Sequence, residues 1–463
     1  MFLSGYNLAG LKVPARFCLG MRAVHGIFSV PIFACLAESA EGGDDCAAAG
    51  LRIVLRYEHV PEYTVYVMGV TRPDSEIKIE GRRLLHRATI KIVFLMVIGL
   101  LSLPAGAGES KCEVWPAWSD FRSKFVSDEG RVVDRSLPQH VTTSEGQSYG
   151  LMFALIANDR ASFDLILKWT EDNLAGGDLT SRLPAWNWGK RADDSWGVID
   201  SNAATDADLW IAYALNEAGR LWDIPKYSAL AELVATRILR EESAEIPGLG
   251  LVLLPGPRGF HMEENVWRLN PSYLPIQIMR RFAVLYPDSG WNKIAETSLG
   301  IIVRSAPNGF VPEWVDYQLG KGFVISNPEQ SGVGFNAIRV YLWAGMLDRR
   351  DIASSVLLKK LAPMGRHASS NGTLWREVET PGGPGKEVAS AGFSSALLPF
   401  LKASRLNKAL HLQKQRVFVL SPLEQTDNYY DQVLTLFGLG WLEGRYRFDR
   451  NGQLKPRWIC KKS

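Results

Sequence analysis

Beyond Lys111 the chain reads as all-α, closed on itself like a barrel of paired helices. Three observations point to this fold class. Apolar residues recur at spacings of three and four in about ten segments of roughly 10–15 residues. The connections between them are rich in Trp, Pro, Gly and Asn, as in LPAWNWG (183–189) and NGFVPEW (308–314). No internal repeat of fixed period and no internal domain boundary interrupts the pattern. A single helical layer system of this size buries its apolar stripes only by closing, which leaves the long connections at a rim to carry chemistry.

The elements follow in order. Residues 146–157 (GQSYGLMFALIA) place Tyr149 with Phe153, and Leu151 with Leu155, at spacings of four. Residues 162–173 continue with Phe163, Ile166, Leu167 and Trp169 and stop at Gly176-Gly177. Residues 206–218 (DADLWIAYALNEA) end at Gly219, and 228–240 carry Leu230, Leu233, Ala235 and Ile238. Further helices are expected over 274–286, 291–304, 337–347, 351–364, 390–401 and 430–438. Lys408–Arg416 reads as a mildly basic solvated face, and Glu263-Glu264 as a solvated loop pair.

The front of the chain is different. Ile92–Leu103 (IVFLMVIGLLSL) is a twelve-residue apolar run, preceded by Arg82, Arg83, Arg87 and Lys91 and followed by Ala105-Gly106-Ala107. Basic, apolar, then small-x-small is the order of a secretory signal peptide. The run is shorter than the roughly 20 residues of a membrane span. Residues 81–107 are therefore expected to be a signal peptide, leaving no stable span after cleavage. Residues 1–80, which show no sustained periodicity, are then an extension or sequence upstream of the true start. Ile27–Leu36, broken by Pro31, resembles a second, weak targeting segment. Residues 108–463 form a single domain sent to the periplasm or secreted. Cleavage after Ala107 leaves 356 of the 463 residues and two of the five cysteines, Cys112 and Cys460. In an oxidising compartment and with chain ends often close, a Cys112–Cys460 disulfide is one reading and two separate thiols the other.

A net charge of +3 gives no reason to expect a nucleic-acid partner, and 46% apolar residues suffice for a sizeable core. Fifteen tryptophans, twelve of them between Trp115 and Trp343, offer faces for flat apolar ligands such as sugars as well as for core packing. Beyond the cleavage site, His140, His261, His367 and His411 show no metal-ligand spacing. There is no G-x-S-x-G elbow, Walker loop or dinucleotide loop. Two helix starts are acidic. Ser144-Glu145-Gly146-Gln147 can form a capping box with Glu145 at the first helical position. Thr205-Asp206-Ala207-Asp208 places Asp206 likewise. Such carboxylates satisfy the helix dipole, or they face a rim and do chemistry. A general acid there needs burial or a neighbouring carboxylate to keep its proton against the dipole.

The stretches TTSEGQSYGLMFALIANDR (142–160), LPAWNWG (183–189), DSNAATDADLWIAYALNEAGRLW (200–222), NPSYLP (270–275), PNGFVPEWV (307–315), FNAIRVYLWAGM (335–346) and YYDQVLTLFGLGW (429–441) resemble glycoside hydrolase family 8. Within it they are most similar to the periplasmic endo-β-1,4-glucanases of bacterial cellulose-synthesis systems. The likeness runs from Cys112 to Cys460. It implies an (α/α)6 barrel with an open groove for a β-1,4-glucan chain, cut internally with inversion. It further implies a monomer needing no metal or cofactor, trimming nascent cellulose beside the synthase export complex. By the same resemblance the general acid falls on Glu145 and the acidic helper on Asp206, with Asp208 the less certain choice. Groove-lining candidates are Trp115, Trp118, Trp186, Trp188, Trp196, Tyr149 and Tyr273, with Arg339 and Asp208 as further substrate-binding residues.

One departure matters. In the cellulose-system members that the chain resembles, the base is an Asp in a Tyr-Asp-Ala-Ile-Arg-Val-Tyr block, which here begins Phe335-Asn336; some branches of the family carry Asn here and use a base elsewhere. An amide orients water but accepts no proton at neutral pH, and loss of a general base costs about 10²–10⁴ in rate. Three readings follow. Another carboxylate serves, from Glu313, Asp316 or Glu329; or the protein is a weak or inactive glucan binder; or it takes another polysaccharide such as chitosan or xylan. An inert helical scaffold and an unrelated helical-barrel enzyme are the non-carbohydrate alternatives.

Overall fold

The computed structural model describes residues 115–136, 139–327, 332–370, 373–376, 387–420 and 428–458, together with six strands between Phe17 and Ile77. The chain divides into two compact units, Met1–Gly108 and Glu109–Ser463. Cys112, Cys460, Glu329 and Ile92–Leu103 lie outside the described residues.

In the first unit the strands pair antiparallel. β1 (Phe17–Leu19), β3 (Ile27–Ala34), β4 (Gly50–Val60), β5 (Tyr63–Arg72) and β6 (Ser75–Ile77) lie in that order, with β2 (Arg22–Val24) also on β3. Residues 1–80 show no sustained periodicity, yet they hold these strands. Runs such as LRIVLRYEHV and YTVYVMGV are rich in β-branched and aromatic residues, which favour strands. Within Ile27–Leu36, which resembles a second, weak targeting segment, Ile27–Ala34 is the strand β3.

The second unit is helical. Thirteen α-helices lie among the described residues. They are α1 (Pro116–Phe125), α2 (Ser144–Ile156), α3 (Arg160–Leu174), α4 (Thr205–Trp222), α5 (Pro225–Glu241), α6 (Ile276–Leu285), α7 (Trp291–Ser305), α8 (Ala337–Met346), α9 (Ile352–Lys360), α10 (Ala362–Ser370), α11 (Ala391–Ala403), α12 (Asn407–Leu420) and α13 (Tyr429–Glu443). Helices α2, α4, α6, α8, α11 and α13 form an inner ring. Most of their residues are buried, as inner helices require; every residue of α8 is buried, whereas α6 still exposes Val284. Phe437 of α13 packs on Tyr149 and Phe153 of α2 and closes the ring. The outer helices show one apolar stripe, as in Tyr227, Ala231, Val234 and Ile238 of α5. Six inner helices backed by outer partners make the (α/α)6 type of barrel that the resemblance implied.

Most expected helices are present. The segment 351–364 is two helices, because Pro363 lacks the N–H needed to continue α9 and instead occupies the first turn of α10. Two helices were not expected. α1 starts on Pro116 directly after a tryptophan, and α12 buries only Ala409, Gln413 and Val417. Lys408 and Lys414 are exposed on α12, as a solvated face requires, but Arg416 is half-buried and donates to Ser394 Oγ at 2.8 Å. The Trp- and Gly-rich connections form small antiparallel sheets. β7 (Thr142–Thr143), β8 (Asn187–Lys190) and β9 (Trp196–Asp200) make one, and β10 (His261–Glu263), β11 (Val266–Leu269), β12 (Val315–Gln318) and β13 (Gly322–Val324) another.

Close helix crossings rest on glycine. A Cβ on Gly438 of α13 would lie 1.9 Å from the Ser395 carbonyl oxygen of α11, and one on Gly345 of α8 2.1 Å from the Phe400 nitrogen. Gly438→Ala is expected to lower stability by about 1–3 kcal/mol through overpacking, measured by urea unfolding. An unchanged midpoint would mean that α11 and α13 do not approach so closely.

Candidate active site

The inner helices α2, α4 and α8 deliver their first turns to one rim. Thr143, extended in β7, caps α2 by accepting Gly146 N–H at 3.0 Å on its Oγ1. Helix α2 therefore begins at Ser144, the residue expected to cap it and one position earlier than expected, and Glu145 is its second residue. The reason is the pairing of Thr143 with Asn187 of β8, which holds it outside the helix. Gln147 closes no capping box. It is buried, accepts Val132 N–H at 2.6 Å and donates to Thr170 Oγ1 at 2.9 Å. Helix α4 repeats the offset. Ala204 is its N-cap, Thr205 donates to the Leu254 carbonyl at 2.5 Å, and Asp206 is the second residue.

Arg339, in the first turn of α8 and 1% exposed, joins these starts. Its Nη1 donates to Glu145 Oε2 at 3.1 Å, Asp206 Oδ2 at 2.8 Å and the Tyr149 hydroxyl at 2.9 Å. Its Nη2 donates to Ser272 Oγ at 3.1 Å and Asn336 Oδ1 at 2.7 Å. Ser272 comes from the 3₁₀ turn Pro271–Tyr273, which Asn270 holds by accepting Ser272 N–H at 3.0 Å. The Tyr273 ring lies 5.6 Å from the guanidinium carbon.

Burial pushes the Glu145 carboxyl up to about 7. The Asp206 charge adds to this and Arg339 opposes it. Glu145 thus has the property that a general acid needs. Asp206 and Glu145 each have an oxygen within 3.1 Å of one nitrogen. Those oxygens stand closer than the roughly 6.5–9.5 Å across which an inverting acid and base face each other. Asp206 is placed beside Glu145, not across a sugar's width from it.

Asn336 is the N-cap of α8. Its Nδ2 donates to Glu313 Oε2 at 2.9 Å, so with Oδ1 taken by Arg339 the amide bridges Glu313 and the guanidinium. Glu313 also accepts Asn336 N–H at 3.0 Å and Ala337 N–H at 2.8 Å. Asp316 is committed elsewhere. Arg268 donates to it at 2.9 and 3.3 Å, and although burial raises its carboxyl, hydrogen bonds from Arg268 and Ser326 hold it below its ordinary value. Phe335 is exposed and stacks edge-on against Phe393 and Tyr430.

The aromatic candidates separate into two groups. Trp115 and Trp118 are corrected from groove to core, at 4% and 3% exposure. The face of α1 bearing Trp118, Phe121 and Phe125 packs inward, Trp115 meets Phe153 edge-on, and Trp118 Nε1 donates to Asp159 at 2.9 Å. Tyr149 is also buried and offers Arg339 its hydroxyl rather than a face to a ligand. Trp186 and Trp196 are exposed and Trp188 half-buried. Trp188 and Trp196 stack 5.5 Å apart, and Arg131 lies over both rings. Tyr273 neighbours Trp314, which lies parallel to Phe260 at 6.1 Å. Trp314 and Phe260 were not expected; Trp314 stood in the quoted block NGFVPEW, so a signal was present.

Asp208 is corrected as well. It is fully buried and faces Glu242. Burial, then the Glu242 charge, pushes its carboxyl well up, and burial pushes Glu242 up to about 8. Among the described residues no group of three or more His, Cys, Asp or Glu could hold a metal ion, and no helix is long and apolar enough to cross a membrane.

The chain matches the profile "Glycosyl hydrolases family 8" over residues 90–444. It is 43% identical over 362 residues to an endoglucanase of Escherichia coli O157:H7, covering 78% of this chain and 96% of that one. An endoglucanase of Xanthomonas axonopodis pv. citri is 44% identical over 379 residues, covering 81% and 97%. The crystal structure of an endo-1,4-D-glucanase from Vibrio fischeri superposes with a TM-score of 0.72 at 44% identity, covering 75% of this chain and all of that one.

The raised Glu145 carboxyl has a consequence for stability. Lifted from 4.5 to about 7, it favours the fold while protonated, and that contribution is lost as pH rises through about 7. Glutamine does not titrate. Between pH 4.5 and 8, the stability of Glu145→Gln relative to wild type is expected to rise. The gain is at most roughly 3 kcal/mol at 1.36 kcal/mol per pH unit. It is smaller in practice because solvent reaches this side chain, 22% exposed. Urea unfolding of both proteins at the two pH values measures it, and a difference independent of pH would contradict the shift.

Proposed function

The chain belongs to glycosyl hydrolase family 8 and is a glycoside hydrolase, and from that premise we propose that it cuts β-1,4-glucan chains internally with inversion. The observation that carries this reading is the Glu145 carboxyl, raised to about 7 at the barrel rim and tied through Arg339 to Asp206. Glu145 donates its proton to the glycosidic oxygen. Asp206, beside it, contacts the sugar at the cleavage point and helps keep the acid protonated between turnovers. The stacked Trp188 and Trp196 and the Tyr273–Trp314 pair are platforms for sugar faces. The endoglucanases at 43–44% identity support the β-1,4-glucan substrate.

The basic, apolar and small-x-small order of residues 82–107 supports export to the periplasm or beyond. There the enzyme, acting as a monomer on a single glucan chain, trims nascent cellulose beside its synthase. Asn336 favours a second reading, a protein that binds glucan without cutting, since inversion needs an ionised carboxylate across from the acid.

Reducing-end release from carboxymethyl cellulose separates the two. The hydrolase reading expects Glu145→Gln to abolish release. A wild type that releases nothing yet binds cello-oligosaccharides supports the second. An active wild type is also expected to lose kcat as pH rises beyond about 7, where Glu145 gives up its proton. A rate flat to pH 9 would remove Glu145 from the acid role.

A further inference from the structure

We propose that Glu313 is the general base that accepts the water's proton, with Asn336 as the amide that positions it. This inference rests on the hydrolase reading above and names the residue that reading lacks.

The geometry around Glu313 is that of a built carboxylate site. Three N–H donors converge on it: the backbone N–H groups of Asn336 and Ala337, at 3.0 and 2.8 Å, and the Asn336 amide at 2.9 Å. They stand at the start of α8, where the helix dipole also favours an anion. Gly334 makes room, since a Cβ there would lie 2.8 Å from the Glu313 carboxyl carbon. The Asn336 backbone N–H reaches both carboxylate oxygens, at 3.0 and 3.1 Å, and Glu313 is half-buried, within reach of solvent.

The Asn336 side chain can be oriented in only one way. A guanidinium only donates, so it meets Oδ1, and an ionised carboxylate only accepts, so it meets Nδ2. A second carboxylate at this position would press against Glu313 as a like charge. The amide is the side chain that suits a working carboxylate at 313. One bridge then links base to acid, from Glu313 through Asn336 and Arg339 to Glu145. The Tyr430 phenol stands in the field of both ends: burial pushes it well up, and against Arg339 both Glu145 and Glu313 raise it further. Of the other candidates, Asp316 is held by Arg268.

In the step itself, Glu313 takes a proton from water as the water oxygen bonds to the anomeric carbon. The bond from that carbon to the glycosidic oxygen breaks, and the oxygen takes the proton of Glu145. Both carboxyls return to their starting states by exchange with solvent.

The test measures kcat and KM on cellopentaose for wild type, Glu145→Gln, Glu313→Gln, Glu329→Gln and the double variant Glu313→Gln/Asn336→Asp, with and without sodium azide. If Glu313 is the base, Glu313→Gln loses about 10²–10⁴ in kcat with KM nearly unchanged. Azide, which needs no deprotonation to attack, then restores turnover and yields an α-glycosyl azide by mass spectrometry. The double variant, which moves the carboxylate by one hydrogen bond at unchanged net charge, recovers rate. A fully active Glu313→Gln would overturn the assignment. So would a loss that neither azide nor the double variant repairs and that comes with a lowered melting temperature, which would make Glu313 a helix cap only. An azide-rescued loss confined to Glu329→Gln transfers the role to that residue. Failure of wild type to exceed Glu145→Gln overturns the hydrolase reading itself, and the base with it.

Discussion

A single guanidinium makes the rim of this barrel possible. Arg339 is buried and meets Glu145 and Asp206 through one nitrogen and Ser272 and Asn336 through the other. Without it, two carboxyls would share a poorly solvated pocket with no opposite charge, and removing one partner of such a buried cluster costs about 3–5 kcal/mol. Arginine suits the position because its planar fork reaches several acceptors in fixed directions, which a lysine ammonium does not. The Glu145 carboxyl is a resultant of these forces. Burial and Asp206 lift it, Arg339 restrains it, and it settles near 7.

The barrel supplies the rest of the geometry. Glu145, Asp206 and Arg339 all lie in first turns of inner helices, so those helices start at the same rim and bring their positive dipole ends together. That field alone would ionise Glu145; burial outweighs it. Eleven residues further along α4, about 16 Å at 1.5 Å per residue, a second buried cluster secures the other end. There Glu217 accepts from Arg281 at 2.6 Å and from Leu454 N–H at 3.1 Å, and Arg220 also pairs with it. The rim that carries Glu145, Asp206 and Arg339 and the far end of α4 are thus each tied by buried ion pairs.

Much of this was legible in the chain because periodicity reports burial directly. The all-round apolar runs 146–157 and 337–347 became inner helices, and the striped 228–240 an outer one. Helix α12 was not legible, because three buried residues in fourteen leave a weak stripe. The caps at Thr143 and Ala204 shifted by one residue because a strand pairing and a distant carbonyl decide them. Trp115 and Trp118 could not be told from Trp188 and Trp196 by type, since an indole packs in a core as readily as it lines a groove.

By itself the sequence determined the helical class, the two acidic helix starts and the amide at 336, because these follow from local spacing and residue identity. Even the apolar run Ile92–Leu103, with its basic and small-residue flanks, is a local pattern of this kind. Only the tertiary structure decided that Glu145 and Asp206 share one guanidinium, that Asp208 faces Glu242, and that Glu313 reaches Asn336 from 23 residues upstream. These are long-range juxtapositions. They depend on which rim each helix start reaches and on how far each charge is desolvated, and neither is written in local spacing.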